Sequence, residues 1–168
     1  MPEKHRRYFL KAKEAKSILS EASETLKKDF NQIFKSKVDV ELVETGFADV
    51  FLVNGNPLLF RIQGKIRPTL VFNELFALTP RTIVDMGAVQ HICNGANVMA
   101  PGIVRFEGTF KKGDFVLIVD EKHGKIIALG EAAYDMDAAK RNTTGVIIKN
   151  VHFVGDKIWN FIKKMKNT

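Results

Sequence analysis

The sequence predicts an α+β protein of two domains. Three patterns carry that expectation: an amphipathic helical period near the start, a run of alternating strands after it, and a second half of short strands punctuated by glycines. The chain has 168 residues, 45% hydrophobic and 27% charged, which is enough for one or two compact cores and excludes a disordered tail.

From Leu10 to about Phe34, the apolar residues Ala15, Ile18, Leu19, Ala22, Leu26, Phe30, Ile33 and Phe34 recur at three- and four-residue spacing, so one amphipathic helix is expected there. Val38 to Glu44 then alternate apolar and polar, the period of a half-buried strand, and Phe47 to Asn54 follow as a second. Asn54 to Pro57 read NGNP, residues that tolerate the positive φ of a tight turn, and PLLFRIQ returns as a third strand. Arg67 to Leu78 read as a strand end and one short helix. Proline pushes the residue before it out of helical conformation, so Thr79-Pro80 marks a break. The expected domains are therefore 1–79, α+β, and 80–168, rich in strand.

Past the break, strands are expected at Thr82 to Val84, Val98 to Phe106, Asp114 to Val119, Ile126 to Tyr134 and Gly145 to Val154, the pattern of a small barrel or sandwich. KKGD (Lys111 to Asp114) and EKHGK (Glu121 to Lys125) look like hairpin loops. A short helix, Gly87 to Asn94, is stopped by Asn94-Gly95, a pair suited to a left-handed C-cap. A last amphipathic turn, capped by Asp156, runs through Ile158, Trp159 and Ile162, with Trp159 expected in the core.

Lys plus Arg outnumber Asp plus Glu by 26 to 19, a formal charge of +7, which points to an anionic partner without naming one. The excess is unevenly placed. Residues 1–35 hold nine basic and five acidic side chains and residues 149–168 hold five and one, whereas the middle is balanced. Solubilising ends would look the same. The longest apolar runs are fragments such as Val116 to Val119, the start has no apolar signal-peptide core, and the single cysteine cannot form an internal disulfide, so a reducing cytosol is expected.

Catalytic and metal signatures are missing from the sequence pattern. His5, His91, His123 and His152 share no ligand spacing with each other or with Cys93, and no phosphate loop, dinucleotide fingerprint or nucleophile elbow occurs. Cys93 reads as a buried spectator, and Asp135 and Asp137 as residues that cap the turn AYDMDAAKRN. No enzyme, cofactor or metal is expected. The most unusual segment is GANVMAPGIVRF (Gly95 to Phe106), where two glycines and a proline suggest a close turn presenting amide groups beside a strand. On this segment alone, tight packing is the preferred explanation of the same glycines.

The run TIVDMGAVQHICNGANVMAPGIV (Thr82 to Val104), then KKGDFVLIVD, IIALGEAAYD and GVIIKNVHFVGDKIW (Gly145 to Trp159), resembles a PUA domain in motifs and in their order. The first half, with Pro68 to Leu70 as its clearest element, resembles the pre-PUA domain of archaeal two-domain proteins and of the malignant-T-cell-amplified-sequence translation factors. The resemblance implies a β-pseudobarrel that binds structured RNA, at a duplex or tRNA acceptor end or on rRNA, through its first helix, the glycine loop after it and an adjacent strand. By motif, the RNA-facing residues would be Gly95, Ala96, Asn97, Met99, Pro101, Gly102 and Ile103, joined by Gln90 and His91 on the helix. Ala100 follows Met99 where many relatives carry a basic residue, so Arg105, Lys65, Arg67 and Arg81 are candidates for the missing charge. The implied role is non-catalytic, in translation initiation or ribosome recycling, with the small ribosomal subunit and a separate SUI1-type protein as partners and no membrane. A protein-interaction adaptor and an accessory subunit of an RNA-modifying enzyme are the competing expectations.

Overall fold

Five short strands of the N-terminal half pair in chain order: β1 (Arg6–Phe9), β2 (Val40–Glu44), β3 (Asp49–Val53), β4 (Asn56–Ile62) and β5 (Lys65–Pro68), all antiparallel. The computed structural model describes residues 5–166, and the chain divides by contacts into two compact units between Glu74 and Leu75. The turn between β3 and β4 has positive φ at both central residues, Asn54 (51°) and Gly55 (85°), so its twist matches the strands it joins. Gln63 and Gly64 repeat the device before β5, a turn the sequence reading passed over.

The expected single helix is two. α1 (Ala12–Leu26) ends where Lys27 turns left-handed (φ 54°), and Asp29 then caps α2 (Phe30–Ile33) by accepting the Asn31 N–H at 2.9 Å. The apolar period runs on through Leu26, Phe30 and Phe34, which concealed the break, but a short acid is worth more as a cap than inside a helix. Phe30 and Phe72 are buried in this unit and meet Phe34 with ring centroids 5.7–6.0 Å apart. β1 was not expected at all. Its residues are exposed throughout, and what holds it beside β2 are partners from across the strand, Arg7 on Glu41 and Tyr8 on Glu44.

A short helix, α3 (Asn73–Phe76), crosses the division, and the second unit continues with β6 (Arg81–Val84), α4 (Met86–Ile92), β7 (Val98–Met99), a 3-10 turn (Ala100–Gly102), β8 (Ile103–Glu107), β9 (Phe115–Asp120), β10 (Ile126–Ala132), α5 (Met136–Arg141), β11 (Val146–Phe153) and α6 (Lys157–Lys166). Its strands lie in the order β7-β11-β10-β9-β6-β8, with β6 and β9 parallel and the other pairs antiparallel. β7 and β8 are opposite edges of this sheet, yet only the 3-10 turn joins them. Laid flat, six strands at about 4.8 Å spacing would separate the edges by about 24 Å. The four steps from Met99 to Ile103 reach about 14 Å at most. The sheet must therefore curl until its edges approach, which decides between barrel and sandwich. Val84, Ile92, Val98, Val116, Ile118, Ala128, Ile147 and Ile148 fill the interior.

Two local expectations are corrected. KKGD is not a hairpin loop: it leads from β8 to β9, between which β6 is inserted, while Glu121 to Lys125 does close the β9–β10 hairpin. Trp159 is half-buried, and Ile158, Phe161 and Ile162 are the α6 residues that enter the core, at the spacing of one helical face.

Candidate nucleic-acid interface

The face that the sequence singled out is built around the two ends of α4. At its start, Asp85 accepts the Ala88 N–H at 2.8 Å and donates its own N–H to the Gly102 carbonyl at 2.9 Å, so the helix and the 3-10 turn are tied together. At its end, Gly95 adopts φ 97°, the Ala96 N–H donates to His91 O and the Gly95 N–H to Ile92 O, both at 3.0 Å, which is a Schellman motif. Asn150 on β11 clamps the loop from below. Its amide donates to the carbonyls of Ile92 (3.0 Å) and Ala96 (2.9 Å), and its backbone N–H donates to Asn97 Oδ1 (2.9 Å).

Gln90 and His91 on α4, then Gly95, Ala96, Asn97, Met99, Pro101 and Arg105, are all exposed on this unit, with Gly102 and Ile103 half-buried among them. Met99 is 46% exposed, unusual for a large apolar side chain. Arg105 reaches Glu107 at 3.3 Å, both ends of the pair being exposed, which leaves the guanidinium open to other anions. Arg81 stands at the far end of β6, paired with Glu107 while Val84 pairs with Ile103, so it belongs to the opposite end of the sheet. Lys65, exposed, and Arg67, half-buried, lie on β5 of the N-terminal unit.

The expected presentation of free amides is corrected. The N–H groups of Gly95, Ala96, Ala100 and Ile103 donate to Ile92, His91, Gly145 and Ala100 within the chain, and Pro101 has none to offer. These amides are therefore taken, and the side chains exposed around them are open to a ligand. The glycines also have structural duties. A Cβ on Gly102 would stand 3.0 Å from the Ala88 Cβ, and one on Gly95 would be strained by its positive φ and meet the Phe153 ring at 3.4 Å. Gly102→Val is accordingly expected to lower the melting temperature as α4 is pushed off the turn, a loss of about 1–3 kcal/mol read by thermal unfolding.

Sequence reasoning missed Asn150, Lys140 and Asn142. A groove of about 380 Å³ is lined by Ala100, Ile103, Val104, Arg105, Phe106 and, from α5 and its end, Ala139, Lys140 and Asn142. Only the curl of the sheet brings residues 35 positions apart to one groove, so no spacing could reveal them. Cys93 is half-buried and its burial pushes the thiol up, away from thiolate chemistry. No group of three or more His, Cys, Asp or Glu side chains that could hold a metal occurs among the described residues, and none of their helices is long and apolar enough to cross a membrane.

A family model described as the PUA domain matches residues 80–154, and one described as a domain of unknown function (DUF1947) matches residues 6–73. An uncharacterized protein of Methanocaldococcus jannaschii is 40% identical over 158 residues, 93% of this chain and 96% of its own. This chain belongs to the PUA-domain family, with a DUF1947 domain ahead of the PUA domain. Malignant T-cell-amplified sequence 2 of Mus musculus is 31% identical over 86% of this chain and 83% of its own. Translation machinery-associated protein 20 of Saccharomyces cerevisiae is 27% identical over 78% and 77%. The fold agrees with a crystal structure of a PUA-domain protein from Aeropyrum pernix, with TM-score 0.81 and 28% identity over 95% of this chain and 92% of that one. The resemblance read from the motifs is thus borne out over both halves, as is the α+β fold with a C-terminal curled sheet.

Proposed function

We propose that this protein is a non-catalytic RNA-binding factor of translation, acting in the cytoplasm in initiation or ribosome recycling, and that it reads structured RNA such as a tRNA acceptor end or rRNA. The observation that carries the reading is the exposed face around α4, where Gln90, His91, Asn97 and Met99 stand beside Arg105 on a PUA domain. Side chains that hydrogen-bond, stack or pair with phosphate suit RNA recognised by shape and backbone. The name of the yeast relative, a translation machinery-associated protein, supports the setting. The small ribosomal subunit and a separate SUI1-type protein are the proposed partners. We place the domain limits at 1–79 and 80–168, supported by family matches that stop at 73 and resume at 80.

Binding to a tRNA acceptor-stem hairpin, measured across salt, tests the reading. Affinity is expected to fall with salt at a log–log slope of about 3–4.5, the value for roughly three to five phosphate contacts on the duplex scale. Gln90→Glu and His91→Glu, both on exposed helix positions, should weaken binding by about 1 kcal/mol or more without lowering the melting temperature, and Arg105→Ala should take about one from the slope. Absence of binding to tRNA and rRNA fragments at low salt would put the adaptor reading ahead.

A further inference from the structure

The tip of the β9–β10 hairpin is rigid, basic and anchored next to α4. Asp120 ends β9 at 4% exposure, and its carboxylate is turned into the loop, accepting the His123 N–H at 2.5 Å and the Lys125 N–H at 3.0 Å. Backbone bonds close the same turn, from Asp120 N–H to Lys125 O (3.0 Å) and from Gly124 N–H to Asp120 O (3.2 Å). The one acid at the base of the loop is thereby occupied, and Lys122, His123 and Lys125 project exposed, with Glu121 as the remaining exposed acid.

The strand register fixes where this tip stands. Glu121 donates its N–H to Val84 O at 3.0 Å, and Val84 pairs with Asp120 on one side and with Ile103 on the other, one residue before the α4 cap. The tip and Ile103 are therefore two strand spacings apart, about 10 Å, with the start of α4 rising between them. The helix offers mostly uncharged groups outward, and Arg105, the nearest cation on the Ile103 side, is shared with Glu107. Charge for a polyanion lying on α4 is lacking on its own surface and present at the tip.

We propose that Lys122 and Lys125 are phosphate-contacting residues that extend the RNA interface across α4 to the side away from Arg105; this rests on the RNA-binding reading above. An ammonium on a stiff turn gives up less freedom on binding than one on a mobile loop, and each phosphate it neutralises releases counterions.

The test uses the full chain, a short RNA hairpin, and two double variants of equal charge change. K122Q/K125Q alters the tip, and K111Q/K112Q alters the β8–β9 connection at the opposite end of the sheet, where both lysines are also exposed. K122Q/K125Q should lose about tenfold in affinity at low salt and about two from the log–log slope, while each single change takes about one and the melting temperature stays put. K111Q/K112Q should leave the slope unchanged. An unchanged slope in K122Q/K125Q, or an equal fall in both doubles, overturns the tip as a contact while wild-type binding keeps the RNA reading standing. Failure of the wild type to bind the hairpin removes the reading, and the tip with it.

Discussion

Gly130→Ala is expected to destabilise the PUA domain by about 3 kcal/mol or more, at the upper end of what an added methyl does in a packed core. A Cβ at this position would stand 2.2 Å from Ile148 Cγ2 and 2.9 Å from the Lys149 carbonyl oxygen, where carbon atoms settle about 3.5–4.0 Å apart. Neither neighbour can yield cheaply. Ile148 is fully buried among the interior residues, and Lys149 is paired with Glu131 in the β10–β11 ladder. The ladder is already irregular between Leu129 and Gly130, a place where a glycine admits the neighbouring backbone. Urea unfolding should show the midpoint falling sharply. Gly87→Ala is the contrasting control in the same unit: its Cβ would meet only Asp85 Oδ1 at an ordinary 3.4 Å, and an alanine inside α4 should add about 0.5–1 kcal/mol. Equal midpoints for Gly130→Ala and wild type would show that the strands can part at no cost.

What the sequence revealed of this molecule was what local chemistry encodes. Alternation in Val40–Glu44, the Asn54-Gly55 turn, the Asp156 cap and the Asn94-Gly95 helix stop each depend on neighbours a few residues away, and each is present. β1 depends on Glu41 and Glu44, more than thirty residues distant, and carries no period of its own, so nothing local announced it. KKGD looked like a hairpin because its residues favour turning. Whether a turn joins paired strands is a property of topology, and here β6 intervenes. The candidate site divides the same way. The exposed residues of α4 and its loop came from motif, whereas the duties of Gly102 against Ala88 and of Asn97 as acceptor of the Asn150 N–H required the fold. Those duties change how the site must be probed: substitutions at Gly95, Gly102 or Asn97 report stability together with binding, and Gln90, His91 and Arg105 report binding with less interference.

Asp156→Ala should cost about 2–4 kcal/mol at neutral pH, because one carboxylate serves three groups. Oδ1 accepts the Trp159 N–H at 2.8 Å as the N-cap of α6, and Oδ2 accepts the Phe153 N–H at 2.9 Å and lies 2.6 Å from Nδ1 of the fully buried His152. Losing a cap costs about 1 kcal/mol, and taking the Nδ1 bond from a buried ring adds about 1–3 kcal/mol. Asp156→Asn keeps a capping oxygen and should recover part of the loss. The pH dependence has a definite sign. Burial pushes the Asp156 carboxyl up, but the His152 ring and the two backbone N–H groups outweigh it and hold the group below the usual carboxylate range. A carboxyl depressed in the folded state contributes stability that is complete above its unfolded value, about 3.9, and is lost as pH falls through its lower folded value. Denaturant midpoints followed by Trp159 fluorescence should therefore separate wild type from Asp156→Ala fully at pH 7, and the gap should narrow only below about pH 4. A gap that is already closed at pH 7 would mean that α6 holds its place through Ile158, Phe161 and Ile162 alone.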